Sequence, residues 1–462
     1  MMRATKKWSA LLNDNTSWYN FNRSRFSTEM SKSIMQTTDA KSKIKSEAMF
    51  SIQGKRSPHR TKGFVWSAVF FGFFAVHCLA AYGLAYEDGI CIVWDDAQRE
   101  FVCSGTYARA KLLANNQLVL VYSARSSVYF RSRNEQGNVW STAVEVARDD
   151  QGIYNYTNAE LLELQNGTLI YTWNARPRVD GVDPYKIMIK RSDDGGATWS
   201  GEQTLYEAGT LFGDGCWEPA FLQLPIGEVQ IYFANEAPYT TSNEQEISLL
   251  RSFDNGLTWS NAEKISFRTG SRDGMPVPVN LQNGKGIALA IEDNGIDGTF
   301  KPVIVHSSIA DNWLSGYVSG DSSRRWHALR SDCRLPADTY VGAPYLIQLH
   351  SGETLLSVQS AERRNPENTH RRANMQIYIG TDEAKDFSQK STPFPSLPDG
   401  GSALWSSLCQ TSDTTVMAVS SLSGLPNQNG VWTVTGHIIK PMEIKHKAEG
   451  KAILQSHEKY TQ

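Results

Sequence analysis

Ser192-Asp193-Asp194-Gly195-Gly196-Ala197-Thr198-Trp199 and Ser252-Phe253-Asp254-Asn255-Gly256-Leu257-Thr258-Trp259 share the pattern S-x-D-x-G-x-T-W, with starts sixty residues apart. Each phrase follows an apolar, strand-like run, Tyr185 to Lys190 and Glu246 to Leu250. The Asp and the hydroxyls can bond the backbone of a turn, and the Gly supplies a positive φ. The Trp covers the turn with a large apolar face. Two copies at this spacing predict a repeat architecture.

A second repeat runs along the chain: a Leu-rich run, a tight turn and another apolar run. The turns are centred on Asn115, Asn166, Ile226, Asn283, Ser351 and Ser412, roughly fifty to seventy residues apart. Asn-Gly and Ser-Gly between apolar runs are hairpin signals. Six such hairpins predict an all-β fold, a six-bladed β-propeller of four-stranded antiparallel blades. The third strands are then VYFRSR, KIMIKR, ISLLRS, PVIVHS, MQIYIG and GVWTVTGHI, with Gly89 to Val102 adding an outer strand to the last blade.

The chain has 462 residues and a formal net charge of −2, so it lacks the basic face that nucleic acid requires. Its six cysteines lack paired C-x-x-C spacing, and the histidines share no common spacing. No metal or other cofactor is therefore expected. Cys91 and Cys103 bracket an expected hairpin, IVWDDAQREFV, and form either a disulfide or two buried thiols.

Four segments are expected. Residues 1–63 are a basic, disordered stretch. Residues 64–86 carry no formal charge and have the length of a bilayer span. Residues 87–440 form the propeller and 441–462 a polar tail. Lys55, Arg56, Arg60 and Lys62 before the span, and Glu87, Asp88, Asp95 and Asp96 after it, place the propeller on the non-cytoplasmic side. The span acts as a membrane anchor if translation starts at Met1, or as a signal peptide if it starts at Met49. Asn155-Tyr156-Thr157 and Asn166-Gly167-Thr168 are then glycosylation acceptors in a eukaryotic host. A monomer is expected.

Strand parity puts the six turns and both S-x-D-x-G-x-T-W phrases on one face. Function is expected on the other, where the loops are irregular. The starts of the first strands and the ends of the second bring Arg109, Asn158, Trp217, Glu218, Glu236, Arg272, Asp273, Glu292 and Tyr345 to that face. Aromatics that stack on a sugar, with carboxylates for acid–base and nucleophilic work, suit a glycan. Glu218 and Glu292 are the candidate catalytic pair, against the plainer readings of a loop glutamate and a turn residue. Arg109 is a candidate for holding substrate oxygens bidentately or a structural ion pair. Asp273 is either an acid or the partner of Arg272, and Glu236 either tunes a catalytic neighbour or caps a loop.

From about Gly105 to Ile438 the chain resembles the sialidase-like superfamily, whose Asp-box, or BNR repeat, has the pattern quoted above. Membership implies the same propeller and, in a sialidase, an arginine triad with a Tyr nucleophile. Tyr107-Ala108-Arg109-Ala110 stands where the sialidase Y-R-I-P phrase would be, without its Pro, and the last blade opens with Ala403-Leu404-Trp405 rather than a tyrosine. Within the same clan the chain more closely resembles the exo-α-1,5-arabinanases, through Trp217-Glu218-Pro219, Gly274-Met275-Pro276 and the glutamate ending the next strand, Glu292. That resemblance implies an exo-acting, retaining glycoside hydrolase whose catalytic pair is Glu218 and Glu292, either one being the nucleophile. An exo-α-sialidase and a non-catalytic carbohydrate-binding propeller are the alternatives.

Overall fold

A computed structural model describes residues 89–133, 139–364, 370–426 and 428–440. The segments expected at 1–63, 64–86 and 441–462 lie outside the described residues. Among these residues six sheets follow one another around the ring: five are built on four antiparallel strands in chain order, and the sixth on three, with its outer strand supplied from the N-terminal end. Their first strands are Thr106–Leu112, Tyr154–Glu163, Cys216–Gln223, Asp273–Leu281, Val341–Gln348 and Ser402–Ser412. Each first strand contacts the next, and the sixth contacts the first, so the first strands line the axis of a closed ring. The expected six-bladed propeller is what the chain forms.

Second strands are buried on both faces because a blade packs on either side of them. All seven residues of Val229–Asn235 are buried, and Trp173 and Phe233 are wholly inaccessible. A strand covered on both faces reads as a continuous apolar run rather than an alternating one, as QIYFA does. Full burial of one such side chain stabilises the fold by about 1.5–3 kcal/mol.

The turns joining first and second strands in blades 2, 3 and 5 share one design. In blade 2 the Leu164 N–H donates to Thr168 and Gly167 N–H donates back to Leu164, with Gly167 at φ +86°. Blades 3 and 5 repeat it with Gly227 and Gly352. Each Asp-box fastens itself as expected. Asp194 accepts from the Ser192 hydroxyl (2.8 Å), the Thr198 N–H (2.9 Å) and the Thr198 hydroxyl (2.5 Å). Asp254 repeats the set with Ser252 and Thr258. Thr168, in the blade-2 turn, donates to Asp193 at 2.8 Å, so turns and Asp-boxes do share a face. Trp199 packs edge-on against Tyr171 of its own blade and Phe130 of blade 1.

The ring closes through the N-terminal strand, with one correction. Cys91–Trp94 and Glu100–Cys103 do not form a hairpin with each other. Both pair antiparallel with the same last strand, Gly430–Ile439. They are one outer strand broken by the turn Asp96–Gln98. Cys91 faces Ile439 and Cys103 faces Val431, eight residues apart on that strand. At about 3.3 Å per residue they stand roughly 26 Å apart, which rules out a disulfide between them.

Candidate active site

Each first strand breaks register against its second strand at the same place in all six blades, and the sixth breaks it again near the turn, between Gln410 and Ser412. The bulged residue is left-handed: Tyr107, Asn158, Glu218, Met275, Ala343 and Trp405 have φ between 45° and 56°. Such a bulge re-aims one side chain, at a cost of roughly 1–2 kcal/mol where the residue is not glycine. Tyr107, Met275, Ala343 and Trp405 pack together into an apolar floor, with the Tyr107 and Trp405 rings 6.0 Å apart. Asn158 and Glu218 make the polar side. An apolar floor with a few aimed polar groups is the usual make-up of a ligand pocket.

Glu218 lines this pocket with Tyr107, Arg109, Glu160 and Met275. Its carboxylate lies 3.8 Å from Arg176 Nη2, and its side chain is 17 % exposed. Glu292 comes in from the end of the second strand of blade 4 (Gly286–Asp293). Its Oε2 accepts the Ala343 N–H at 2.6 Å, and the Tyr340 hydroxyl bonds the same carboxylate. Burial pushes both carboxyls up to about 7, against the pull of Arg176 and Arg272 on Glu218 and of the Ala343 N–H on Glu292. The negative charge of Glu218 raises Glu292 further. Gly342 has no room for a Cβ, because the Glu292 carboxylate and the Tyr340 hydroxyl occupy that space.

The other expected residues build the walls. Arg109 is 3 % exposed and donates through Nη1 to the carbonyls of Trp405 (3.1 Å), Ala108 (3.2 Å) and Ser406 (3.3 Å). Its Nε lies 3.6 Å from Glu160, and its plane covers the Tyr107 and Tyr345 rings. Tyr345 receives a hydrogen bond from Lys111, which also pairs with Glu160 at 2.9 Å. Asn158 accepts from Arg176, whose guanidinium lies over the Trp217 ring. Trp217 is buried and donates to Glu236, and Glu236 pairs with Arg272. The structure corrects the expectation for Asp273. It is fully buried and bonded by Arg325 at 2.7 and 2.5 Å, so it faces into the blade rather than the pocket. Arg325 also pairs with Asp293, while Arg272 is engaged with Glu236 and Gln245.

Residues 123–417 match the family model described as a BNR repeat-like domain. The chain belongs to this family. This BNR repeat-like propeller is 29 % identical over 197 residues to a sialidase of Micromonospora viridifaciens. The match covers 38 % of this chain and 29 % of that protein, so the chain spans under a third of the relative's length. Solved structures of similar fold include a protein of unknown function from Dyadobacter fermentans (12 % identity, 76 % of this chain and 100 % of that one, TM-score 0.58). Another is an α-L-arabinanase of Penicillium chrysogenum complexed with arabinobiose (17 % identity, 76 % and 97 % covered, TM-score 0.54). A third is an α-L-arabinofuranosidase of Fusarium graminearum, also with arabinobiose (18 % identity, 76 % and 95 % covered, TM-score 0.53). The likeness to these solved structures is one of fold, the six-bladed propeller.

Two elements of the BNR repeat-like pocket went unread in the sequence. Met275 and Ala343 complete its floor, yet neither residue type announces a binding role. Their signal is positional: both fall in the series 107, 158, 218, 275, 343 and 405, at blade spacing. Tyr340 is the second, because its bond to Glu292 spans 48 residues and two blades.

Proposed function

We propose that this chain is an exo-acting glycoside hydrolase that uses Glu218 and Glu292 in a retaining, arabinanase-like mechanism. One observation carries the reading. Two carboxyls from neighbouring blades, Glu218 on a first strand and Glu292 at the end of a second, lie near enough for the charge of one to raise the other, and each has its own partners. Glu218 has a guanidinium beside it, which favours the carboxylate. Among the described residues no cation pairs with Glu292, and the negative charge of Glu218 holds its proton on. Both carboxyls are raised alike, so the roles are assigned from their partners: Glu218, beside Arg176, carries the charge, and Glu292, hydrogen-bonded by Ala343 and Tyr340, carries the proton.

Glu218 is then the nucleophile and Glu292 the acid/base. The Glu218 carboxylate attacks the anomeric carbon while Glu292 gives its proton to the departing glycosidic oxygen. The carbon–oxygen bond breaks and a glycosyl ester forms on Glu218. Glu292, now ionised, takes a proton from water, whose oxygen attacks the same carbon and frees Glu218. This path requires carboxyl groups about 5–5.5 Å apart. The packed floor of Tyr107, Met275, Ala343 and Trp405 favours a chain end over a threaded chain.

The sialidase alternative rests on the partial match to a bacterial sialidase. It calls for arginines that can take up a carboxylate, whereas Arg109, Arg176 and Arg272 are each engaged with Glu160, Asn158 and Glu236 respectively. The charge flanks of segment 64–86 support a location outside the cytoplasm. Incubation of the purified chain with arabinan, sialyl-lactose and a panel of aryl glycosides tests the assignment. Release of arabinose is expected. Release of sialic acid would overturn the arabinanase-like reading, and binding without any hydrolysis would make the propeller a lectin-like module.

A further inference from the structure

The residue just before each left-handed one makes the last regular pair ahead of the bulge, with a fixed place on the second strand. Those six places are Ser123, Asn174, Ala234, Glu292, Gln359 and Ser421, which pair with Thr106, Thr157, Trp217, Gly274, Gly342 and Leu404. Three of them reach across to the next blade and accept the N–H of its left-handed residue. Ser421 takes that of Tyr107 (3.1 Å), Asn174 that of Glu218 (2.9 Å) and Glu292 that of Ala343 (2.6 Å). Blades 2, 4 and 6 thus clip blades 3, 5 and 1. In the alternate blades the place holds Ala234, or Ser123 and Gln359, whose Oγ and Nε2 are buried without partners among the described residues.

We propose that Asn174 is a positioning residue for Glu218, an inference that rests on the nucleophile role given to Glu218 above. Asn174 is completely buried at the end of the second strand of blade 2 (Leu169–Pro177). Its Oδ1 takes the Glu218 N–H, and its Nδ2 donates to the Cys216 carbonyl at 2.8 Å and to the Lys186 carbonyl at 3.3 Å. One amide therefore grips the bulge of the neighbouring blade on both sides of Trp217.

The bulge lifts the Glu218 N–H out of the strand ladder, and a buried N–H with no acceptor is strongly disfavoured. The clip satisfies that donor only while residue 218 stays left-handed, and this conformation aims the Glu218 side chain along the axis beside Arg176. An amide accepts from an N–H through its oxygen and donates to carbonyls through its nitrogen, two atoms far enough apart to hold both sides of Trp217. A carboxylate supplies the first contact without the second. The carboxylate aims the nucleophile no better than this clip holds its backbone.

Asn174→Leu and Asn174→Asp test the proposal, with Gln359→Leu as the control at the matching place in blade 5. With a glycoside that the wild type hydrolyses, Asn174→Leu is expected to lower kcat 10- to 100-fold while KM changes less than twofold. Its crystal structure is expected to show residue 218 out of the left-handed region. Asn174→Asp keeps the acceptor, so it is expected to keep the backbone, lose less in kcat, and move the acid limb of the pH–rate profile upward. The upward sign follows because a second negative charge raises the Glu218 carboxyl. Gln359→Leu is expected to match wild type. An Asn174→Leu structure with Glu218 unmoved and kcat unchanged would overturn the proposal. If that variant does not fold, an Asn174→Asp profile identical to wild type overturns it instead. Absence of hydrolysis by the wild type itself would defeat the glycosidase reading, and the crystal structures alone would then decide the role of Asn174.

Discussion

The propeller holds its carboxylates at two ends, and the ends treat the same chemical group in opposite ways. On the turn face Asp194 and Asp254 stand in solvent, and hydroxyl and N–H donors from Thr198 and Thr258 push each down to about 2. On the axial face Glu218 and Glu292 are largely withdrawn from water and are pushed up to about 7. Donors without burial make a permanent anion that holds a turn. Burial with few donors makes a group that exchanges protons near neutrality. A repeat motif and a reactive site are thus separated by environment, although both are built from loops carrying acids.

Removing an axial acid separates the two ends most sharply. Glu292→Gln is expected to lower kcat/KM by about 10²–10⁴, the range for a general acid or base. The loss should be steepest for glycosides with poor leaving groups, and melting should be unimpaired. A uniform loss across leaving groups would point to a structural role instead.

A smaller effect is expected from Gly342→Ala. Its added methyl must displace the Glu292 carboxylate or the Tyr340 hydroxyl. A fall in kcat of about tenfold is expected, within the sensitivity of rates to misplacement of a reacting group. Unchanged kinetics would show that Glu292 has a second productive position.

The smallest effect on rate is expected at the turn face. Asp194→Asn should leave kcat/KM at the wild-type value while lowering Tm. The pH signatures of the two ends also differ in sign. Asp194 and Asp254 are lowered from 3.8, so their stabilisation is present above that value and is lost as pH falls through about 2. Glu218 and Glu292 are raised from 4.5, so their protonated forms favour the fold below that value, and the benefit is lost as pH rises through about 7. Thermal melts from pH 2 to 8 should therefore lose the Asp194→Asn difference in acid. They should also show Glu292→Gln gaining on wild type as pH rises above about 5. A melt difference for Asp194→Asn that persists at pH 2 would contradict the turn-anion account.

How much of this could be read beforehand follows the same division. The Asp-boxes and the six turns were legible because their chemistry is local: Asp194 and Thr198 bond within five residues. Glu218 and Glu292 were legible through strand parity and the Trp-Glu-Pro phrase. Contacts that join distant segments were not. The partner of Asp273 is Arg325, fifty-two residues on, although Arg272 is its neighbour in sequence. The stretch 91–103 reads as a hairpin because Asp95-Asp96-Ala97-Gln98 looks like a turn, yet its partner strand begins at Gly430. The left-handed ring was equally hidden, because Met275, Ala343 and Trp405 take a conformation that their residue types do not favour.

The central claim is that Glu218 is the nucleophile at the axial end. The most direct test is kcat/KM of Glu218→Gln beside wild type, on one aryl glycoside that the wild type hydrolyses at pH 6. The account predicts a fall of more than about 10³-fold in a protein that melts no lower than wild type. Wild-type activity in Glu218→Gln would contradict it.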